Sequence, residues 1–435
     1  MGPASGICFN RRFPAATQSV PPERTAPARA THEETRMRNR RLPMPPRHAV
    51  ALLPALLLCG WAHAGEGAGI DVVDTHIDAP TLLQSRWADL GASAPDREFD
   101  YPRARAGGLA VAFMSIYTSA EQDRSGTATR IAHAQIDAVE ALAARHPDRF
   151  ALLRSPRDVA RLRAGGRVLL PLGMENAAPI GDDLSLLRTF HDRGIRYVTL
   201  AHGAANRFAD SSYDIEKRWG GLSPLGRRAV VEMNRLGIMV DVSHLSDDAA
   251  AQAIELSRAP VIASHSSFRG LTPGFERNIG DELARRVAEG GGVVQVTFGT
   301  NFVEPAGAAN LQALYRARND FNQRNARREA EGLPPEDRAA FEAEWRRTHP
   351  RVSATIDAVL DHIDYGVKLL GVDHVGIGSD FDGVGGNLPQ GLRSVADYPA
   401  LLDGLRARGY AEADIARIAG GNLLRVWADV EDAAD

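Results

Sequence analysis

From residue 69 to the end of the chain, short runs of Val, Ile and Leu alternate with longer segments whose apolar residues recur at helical spacing. The runs occupy 69–76, 109–117, 167–175, 195–202, 237–244, 260–265, 292–299 and 374–381. Apolar runs without polar alternation mark strands covered on both faces, as in a parallel sheet. The segments between them read as helices. "PLGRRAVVEMNRLG" (224–237), for example, keeps its apolar residues at helical intervals and ends on a glycine suited to a C-cap. Eight such strand–helix units predict an α/β fold, a (β/α)8 TIM-type barrel, with a doubly wound open sheet as the alternative. After the seventh run the spacing breaks. Residues 309–350 are dense in Arg, Glu and Ala around "EGLPPED", which predicts two amphipathic helices inserted after strand 7. A charge run of this kind forms a solvated face, with a partner surface or a lid as the other readings.

The first run departs from its own pattern. "DVVDTHID" sets Asp74, His76 and Asp78 at alternate positions, on one face of a strand. Later runs end in similar fashion: the third on Glu175, the fourth on His202, the fifth on His244, the sixth on His265 and the eighth with Asp380. In a parallel barrel the C-terminal strand ends converge on one rim, where such folds keep their active sites. A lone His at a strand end is ordinarily a hydrogen-bonded structural group, and a buried carboxylate must be paired. Four imidazoles and three carboxylates on one rim do not easily neutralise one another, and a cation resolves this. Imidazole and oxygen donors without thiolate suit zinc and related ions. The donor supply exceeds one ion, and a bridging Glu175 would join two metals that share and acidify a water. Asp74, one step deeper, is expected to orient a ligand rather than to be one.

Composition adds bounds. The 435 residues are 44% hydrophobic and 24% charged, enough for a sizeable core, and the net charge of −4 gives no case for a nucleic-acid partner. The N-terminal part differs. An Arg- and Pro-rich stretch leads into "AVALLPALLLCGWAHA" (49–64), which matches a secretory signal with cleavage after Ala64, and Met37 is a more natural start than Met1. A buried or interfacial helix is the competing reading of this stretch. Residues 1–64 are therefore expected to be a leader and 65–435 a single domain, secreted or periplasmic. Both cysteines, Cys8 and Cys59, fall in the leader, so no disulfide is expected in the mature chain. Cys59 is a poor fit to a lipid-attachment site, and the acidic C-terminus "VWADVEDAAD" carries no anchor signal.

Several motifs in order carry a resemblance: "DTHID", "GME" followed by "GIRYVTLAH", "GLSPLGRRAVVEMNRLGIMVDVSHLS", "SRAPVIASHSS", "ERN", "GIGSDFDG" and "GNLLRV". Together they resemble the renal (membrane) dipeptidase family of zinc hydrolases, over residues 69–427. The resemblance implies a dipeptidase with two zinc ions, one held by His76, Asp78 and Glu175, the other by Glu175, His244 and His265. It implies that His202 contacts substrate and stabilises the oxyanion, and that Asp380 lies near the substrate amine and attacking water as a proton shuttle. Arg277, in "ERN", is implied to bind the free carboxylate of a short substrate. The implied reaction is attack of a metal-bridged hydroxide on a dipeptide bond. Hydrolysis of other amides or β-lactams, or metal binding without catalysis, are the alternatives. The chain departs from the family where Asn176 and Ala177 replace two glycines after the bridging Glu, and where Phe208 replaces a Trp found in some relatives. It also lacks the cysteines and anchor signal of the disulfide-linked mammalian dimers, so a homodimer would be non-covalent.

Overall fold

Ten strands form the framework of the computed structural model, which describes residues 70–435. The leader, with Cys8, Met37, Cys59 and the expected cleavage after Ala64, lies outside the described residues. The strands are β1 (Val72–Ile77), β2 (Leu109–Tyr117), β3 (Phe150–Leu152), β4 (Val168–Leu170), β5 (Leu172–Glu175), β6 (Ile195–Thr199), β7 (Met239–Asp241), β8 (Ile262–Ala263), β9 (Val293–Val296) and β10 (Val375–Ile377). Every strand pair is parallel, in the order β10-β9-β8-β7-β6-β5-β2-β4-β3, with β1 on β2.

The first strand and the segment after β10 meet. Ile77 bridges Phe381 in parallel, Asp78 N–H donates to Phe381 O at 2.9 Å, and Asp380 N–H donates to His76 O at 3.1 Å. Eight staves thus close into a ring, β1-β2-β5-β6-β7-β8-β9-β10, and the open-sheet alternative is set aside. Each of the eight expected runs holds a strand. The third holds two, because Pro171 has no N–H to continue the ladder; its carbonyl accepts from Met114 N–H at 2.9 Å instead. The added strand β3 pairs with β4 outside the ring.

Buried strand residues Val73, Phe113, Tyr197, Met239 and Ile262 pack with Trp427 and Val430 of the last helix, Asn422–Asp432. This apolar plug covers the N-terminal halves of the strands and leaves the C-terminal ends to the polar residues. The expected insertion follows β9 as helices Thr300–Val303, Pro305–Ala330 and Arg338–Thr348. It starts earlier than the charge run suggests, and its first part is no solvated face. Ala308 and Tyr315 are buried with Phe275 and Phe302 in a small cluster of their own. Among the described residues no helix is long and apolar enough to cross a membrane.

Candidate metal centre

The strand ends converge as the barrel requires. Three groups of donor atoms lie within 4.8 Å of one another: His76, Glu175 and His265; Glu175, His202 and His244; and His76, Asp78 and Asp380. Glu175 divides its oxygens. Oε1 lies 2.9 Å from His244 Nε2, 3.3 Å from His265 Nε2 and 3.4 Å from His202 Nε2, while Oε2 lies 3.5 Å from His76 Nε2. Asp78 Oδ2 stands 3.4 Å from the same His76 nitrogen. The pairwise ligand sets expected from the sequence are therefore interleaved, because the His76 and His265 rings lie only 3.7 Å apart.

Supporting hydrogen bonds fix which imidazole nitrogen faces inward. The Tyr197 hydroxyl donates to Thr75 O at 3.1 Å, so toward His76 Nδ1, at 2.8 Å, it presents a lone pair. His76 therefore carries its hydrogen on Nδ1 and directs a bare Nε2 into the centre, where that buried atom has no hydrogen-bond partner. His265 is set in the same way. Ser264 Oγ donates to Asp241 Oδ2 at 2.6 Å and accepts from His265 Nδ1 at 2.7 Å. Arg277 Nη2 donates to His244 Nε2 at 3.0 Å, so that nitrogen too presents a lone pair. The His244 and His265 Nε2 atoms are then 2.7 Å apart with lone pairs converging beside Glu175 Oε1.

Electrostatics make the same demand. Burial, then Arg277, push His244 well below its ordinary pKa, and burial, then His76, do the same to His265, so neither supplies a proton to the gap. Burial and Arg277 also lower His202 against the pull of Glu175. Burial opposes charge on His76, yet Tyr197, Glu175 and Asp78 outweigh it and raise the imidazole well above its usual range, so its surroundings call for a positive charge at Nε2 that a cation would supply in place of a proton. Glu175 resists burial through its histidine neighbours and stays well below the carboxylate range. Burial, then Asp78, raise Asp380 well above that range. Imidazole nitrogens and ionised oxygens gathered around a point that calls for positive charge are the donor set a divalent cation fits.

A cavity of about 450 Å³ opens over this centre, lined by Asp78, Glu175, His202, His244 and Asp380 among others. Gly383 is required in its wall. A Cβ there would lie 2.2 Å from both Asp380 Oδ1 and Asp78 Oδ2. Arg277 is buried, held by Ser266 Oγ at 2.9 Å and His265 O at 2.9 Å, with its guanidinium 5.2 Å from the Phe302 ring centroid. It is not among the residues lining the cavity.

Residues 68–435 match the family model described as membrane dipeptidase, peptidase family M19. The chain belongs to that family. An uncharacterized dipeptidase of Schizosaccharomyces pombe is 31% identical over 88% of this chain and 89% of its own length. Among solved structures, the probable dipeptidase PvdM from Pseudomonas aeruginosa superposes with a TM-score of 0.72 at 30% identity, covering 84% of this chain and 96% of that one. A Rhodobacter sphaeroides metallo peptidase, liganded with a phosphinate mimic of the dipeptide L-Ala-D-Ala, gives 0.68 at 27% identity, covering 83% and 99%. As a family member the chain is a metallo-dipeptidase of TIM-barrel type.

Within this dipeptidase the two family departures have local explanations. Asn176 adopts φ 81°, and its side chain stabilises that conformation by donating to Thr118 O at 2.8 Å and accepting from Ala178 N–H at 3.2 Å and Asn206 Nδ2 at 2.8 Å. Phe208 is fully buried in the core rather than facing substrate. Sequence reasoning missed Tyr197, Ser264 and Asp241. Asp241 did carry a signal, an acid inside an apolar run. Asp74 accepts from the backbone N–H of His76 and Ser379, at 3.1 and 2.9 Å, and from the hydroxyls of Ser379 and Tyr398, so it ties β1 to β10 rather than touching an imidazole.

Proposed function

We propose that this dipeptidase works with two zinc ions bridged by Glu175. The observation that carries the reading is the division of the Glu175 oxygens, Oε1 toward His244, His265 and His202 and Oε2 toward His76, whose Nε2 also faces Asp78. His76, Asp78 and Glu175 would hold one ion and Glu175, His244 and His265 the other. When bound, such a pair supplies the positive field that acidifies a water and polarises the scissile carbonyl.

The remaining work belongs to the chain. His202 is neutral and is the most open of the four histidines, with 22% of its side chain exposed, so it can donate a hydrogen bond to the developing oxyanion. Asp380 lines the cavity beside His76 and Asp78, where its carboxylate would accept the proton released by the attacking water and then donate it to the leaving amine. Arg277 would turn Nη2 to the substrate carboxylate once the His244 lone pair is engaged elsewhere. With Arg277 reading the carboxylate and Asp380 near the amine, the two ends would limit the substrate to a dipeptide.

The family, the donor set and a dipeptide-sized cavity support this reading over general amide or β-lactam hydrolysis and over metal binding alone. Metal analysis coupled to a panel of L,L and L,D dipeptides and their amides tests it. Two zinc per active chain and a large rate loss on amidation are expected. Fewer than two metals in the active enzyme would refute the binuclear assignment, and equal rates on the amides would refute the role of Arg277. On the same proposal the enzyme is exported, its single domain beginning after cleavage at Ala64, and any dimer is non-covalent.

A further inference from the structure

A second cavity, of about 470 Å³, adjoins the first and shares His202 and Tyr213 with it. Its outer wall comes from the helices inserted after β9, which contribute Arg318, Asn319, Asn322 and Arg338. The guanidiniums of the insertion share one carboxylate, whereas Arg124 across the cavity has its own in Glu121. Glu342 alone accepts from Arg318 at 3.0 Å, Arg338 at 3.3 Å and Arg346 at 3.0 Å, and Arg318 Nε is buried without a hydrogen-bond partner. Asp214 also lines the cavity, but its carboxylate accepts from Ala205 N–H. Tyr213 packs edge-on against Tyr315 of the insertion, with ring centroids 4.5 Å apart, and its hydroxyl neighbours Arg277. The chamber thus opens beside the end of the site assigned above to the substrate carboxylate.

The geometry points to this chamber as an anion-binding subsite for the side chain of the C-terminal residue, which selects dipeptides ending in Asp or Glu. The inference rests on the dipeptidase reading and adds a substrate class to it. Guanidinium forks and amide donors recognise a carboxylate, while the neutral isostere leaves them with only part of that interaction.

The test compares Ala-Glu with Ala-Gln, and Glu-Ala with Gln-Ala, on the zinc-loaded full chain. Two half-exposed ionic contacts correspond to roughly a tenfold preference in kcat/KM for Ala-Glu over Ala-Gln at low salt. That ratio should fall toward one in an R318Q/R338Q variant and shrink as salt is raised. Because each ratio is taken within one protein, a general loss of activity or folding in the variant does not imitate the result. Equal rates on Ala-Glu and Ala-Gln, a preference that survives the double substitution, or a preference confined to Glu-Ala would each overturn the subsite while leaving the dipeptidase reading in place. Absence of turnover on every dipeptide would overturn both.

Discussion

Replacing Tyr197 by Phe separates orientation of the proposed metal ligand His76 from the packing of its support. The ring stays in place: it is buried 5.6 Å from the Phe113 ring, and its outer edge fills the space where a Gly173 Cβ would otherwise sit. Only the hydroxyl is lost, and with it the acceptor that holds His76 Nδ1–H at 2.8 Å and the donor to Thr75 O. Removal of a partner that orients a metal-bound imidazole lowers metal affinity by roughly 10- to 100-fold, or about 1.4 to 2.8 kcal/mol. Leaving the buried N–H unpaired lowers stability of the metal-free protein by a further ~1–3 kcal/mol. Chelator competition measures the first effect and urea unfolding of metal-free protein the second. Zinc affinity within twofold of the parent, even with a clear loss of stability, would show that the Tyr197 hydrogen bond does not set the His76 tautomer.

Other substitutions probe other parts of the centre. Asp241→Asn weakens four acceptor bonds, to Ser243 N–H at 3.0 Å, Ser264 N–H at 2.8 Å, Ser264 Oγ at 2.6 Å and Thr199 Oγ1 at 2.5 Å. A loss of about 2–4 kcal/mol in urea unfolding is expected, with weaker zinc binding; parental stability would contradict the role of this carboxylate. Gly383→Ala places a methyl group between Asp78 and Asp380 and should lower dipeptide turnover about 100-fold with the circular dichroism spectrum kept; near-parental turnover would show that the two carboxylates can separate freely. His362, remote from the centre, accepts from Phe268 N–H at 3.1 Å and is pushed by burial from 6.5 to about 4. The unfolded chain therefore binds the extra proton first, so stability is full above pH 6.5 and about 3 kcal/mol is lost as pH falls to 4. Glu98, raised by burial from 4.5 to about 7, has the opposite slope, costing stability as pH rises through that interval. The difference between parent and His362→Gln isolates the histidine, and an identical pH dependence in the two would refute it.

The clustered residues proposed as metal ligands were legible because each interrupts or ends an apolar run where a parallel strand should be uniform, and because barrel closure brings all strand ends to one rim. Their supports were not. Tyr197 reads as an ordinary core aromatic in "IRYVTLAH", and only closure of the ring sets its hydroxyl beneath His76, 121 positions away. Asp241 bore the same signal as Asp74, yet His244 at the end of the same run supplied a sufficient reason for a polar strand end. The insertion was legible as helices but not as part of the site. Its charge pattern reports the solvent side, whereas Tyr315 and Ala308 act from the short apolar stretch that precedes it.

Backbone conformation explains how so many side chains reach one point. Among the described residues, four other than glycine have φ in the left-handed region: Asn176 at 81°, and His244, Asp380 and Asp382 at 66°. All lie just beyond strand ends at the rim, where a left-handed residue turns the chain sharply from its strand. Asn and Asp tolerate this region through local hydrogen bonds, and Asn176 makes them. Asp382 is held instead by a distant partner: it accepts from Glu98 N–H at 2.7 Å, while its own N–H donates to the Glu98 carboxylate. His244 lacks a comparable local bond from its own side chain. Its conformation, costing about 1 kcal/mol or more, is held by the Ser212 N–H donating to its carbonyl at 2.9 Å and by Arg277 and Glu175 at its ring. A glycine after Glu175 would turn the chain without help, but Asn176 also ties that turn to Thr118 and Asn206. The Asn that stands after Glu175 is therefore compatible with an intact centre, because its side-chain bonds replace backbone freedom with a fixed geometry for the neighbouring Glu175.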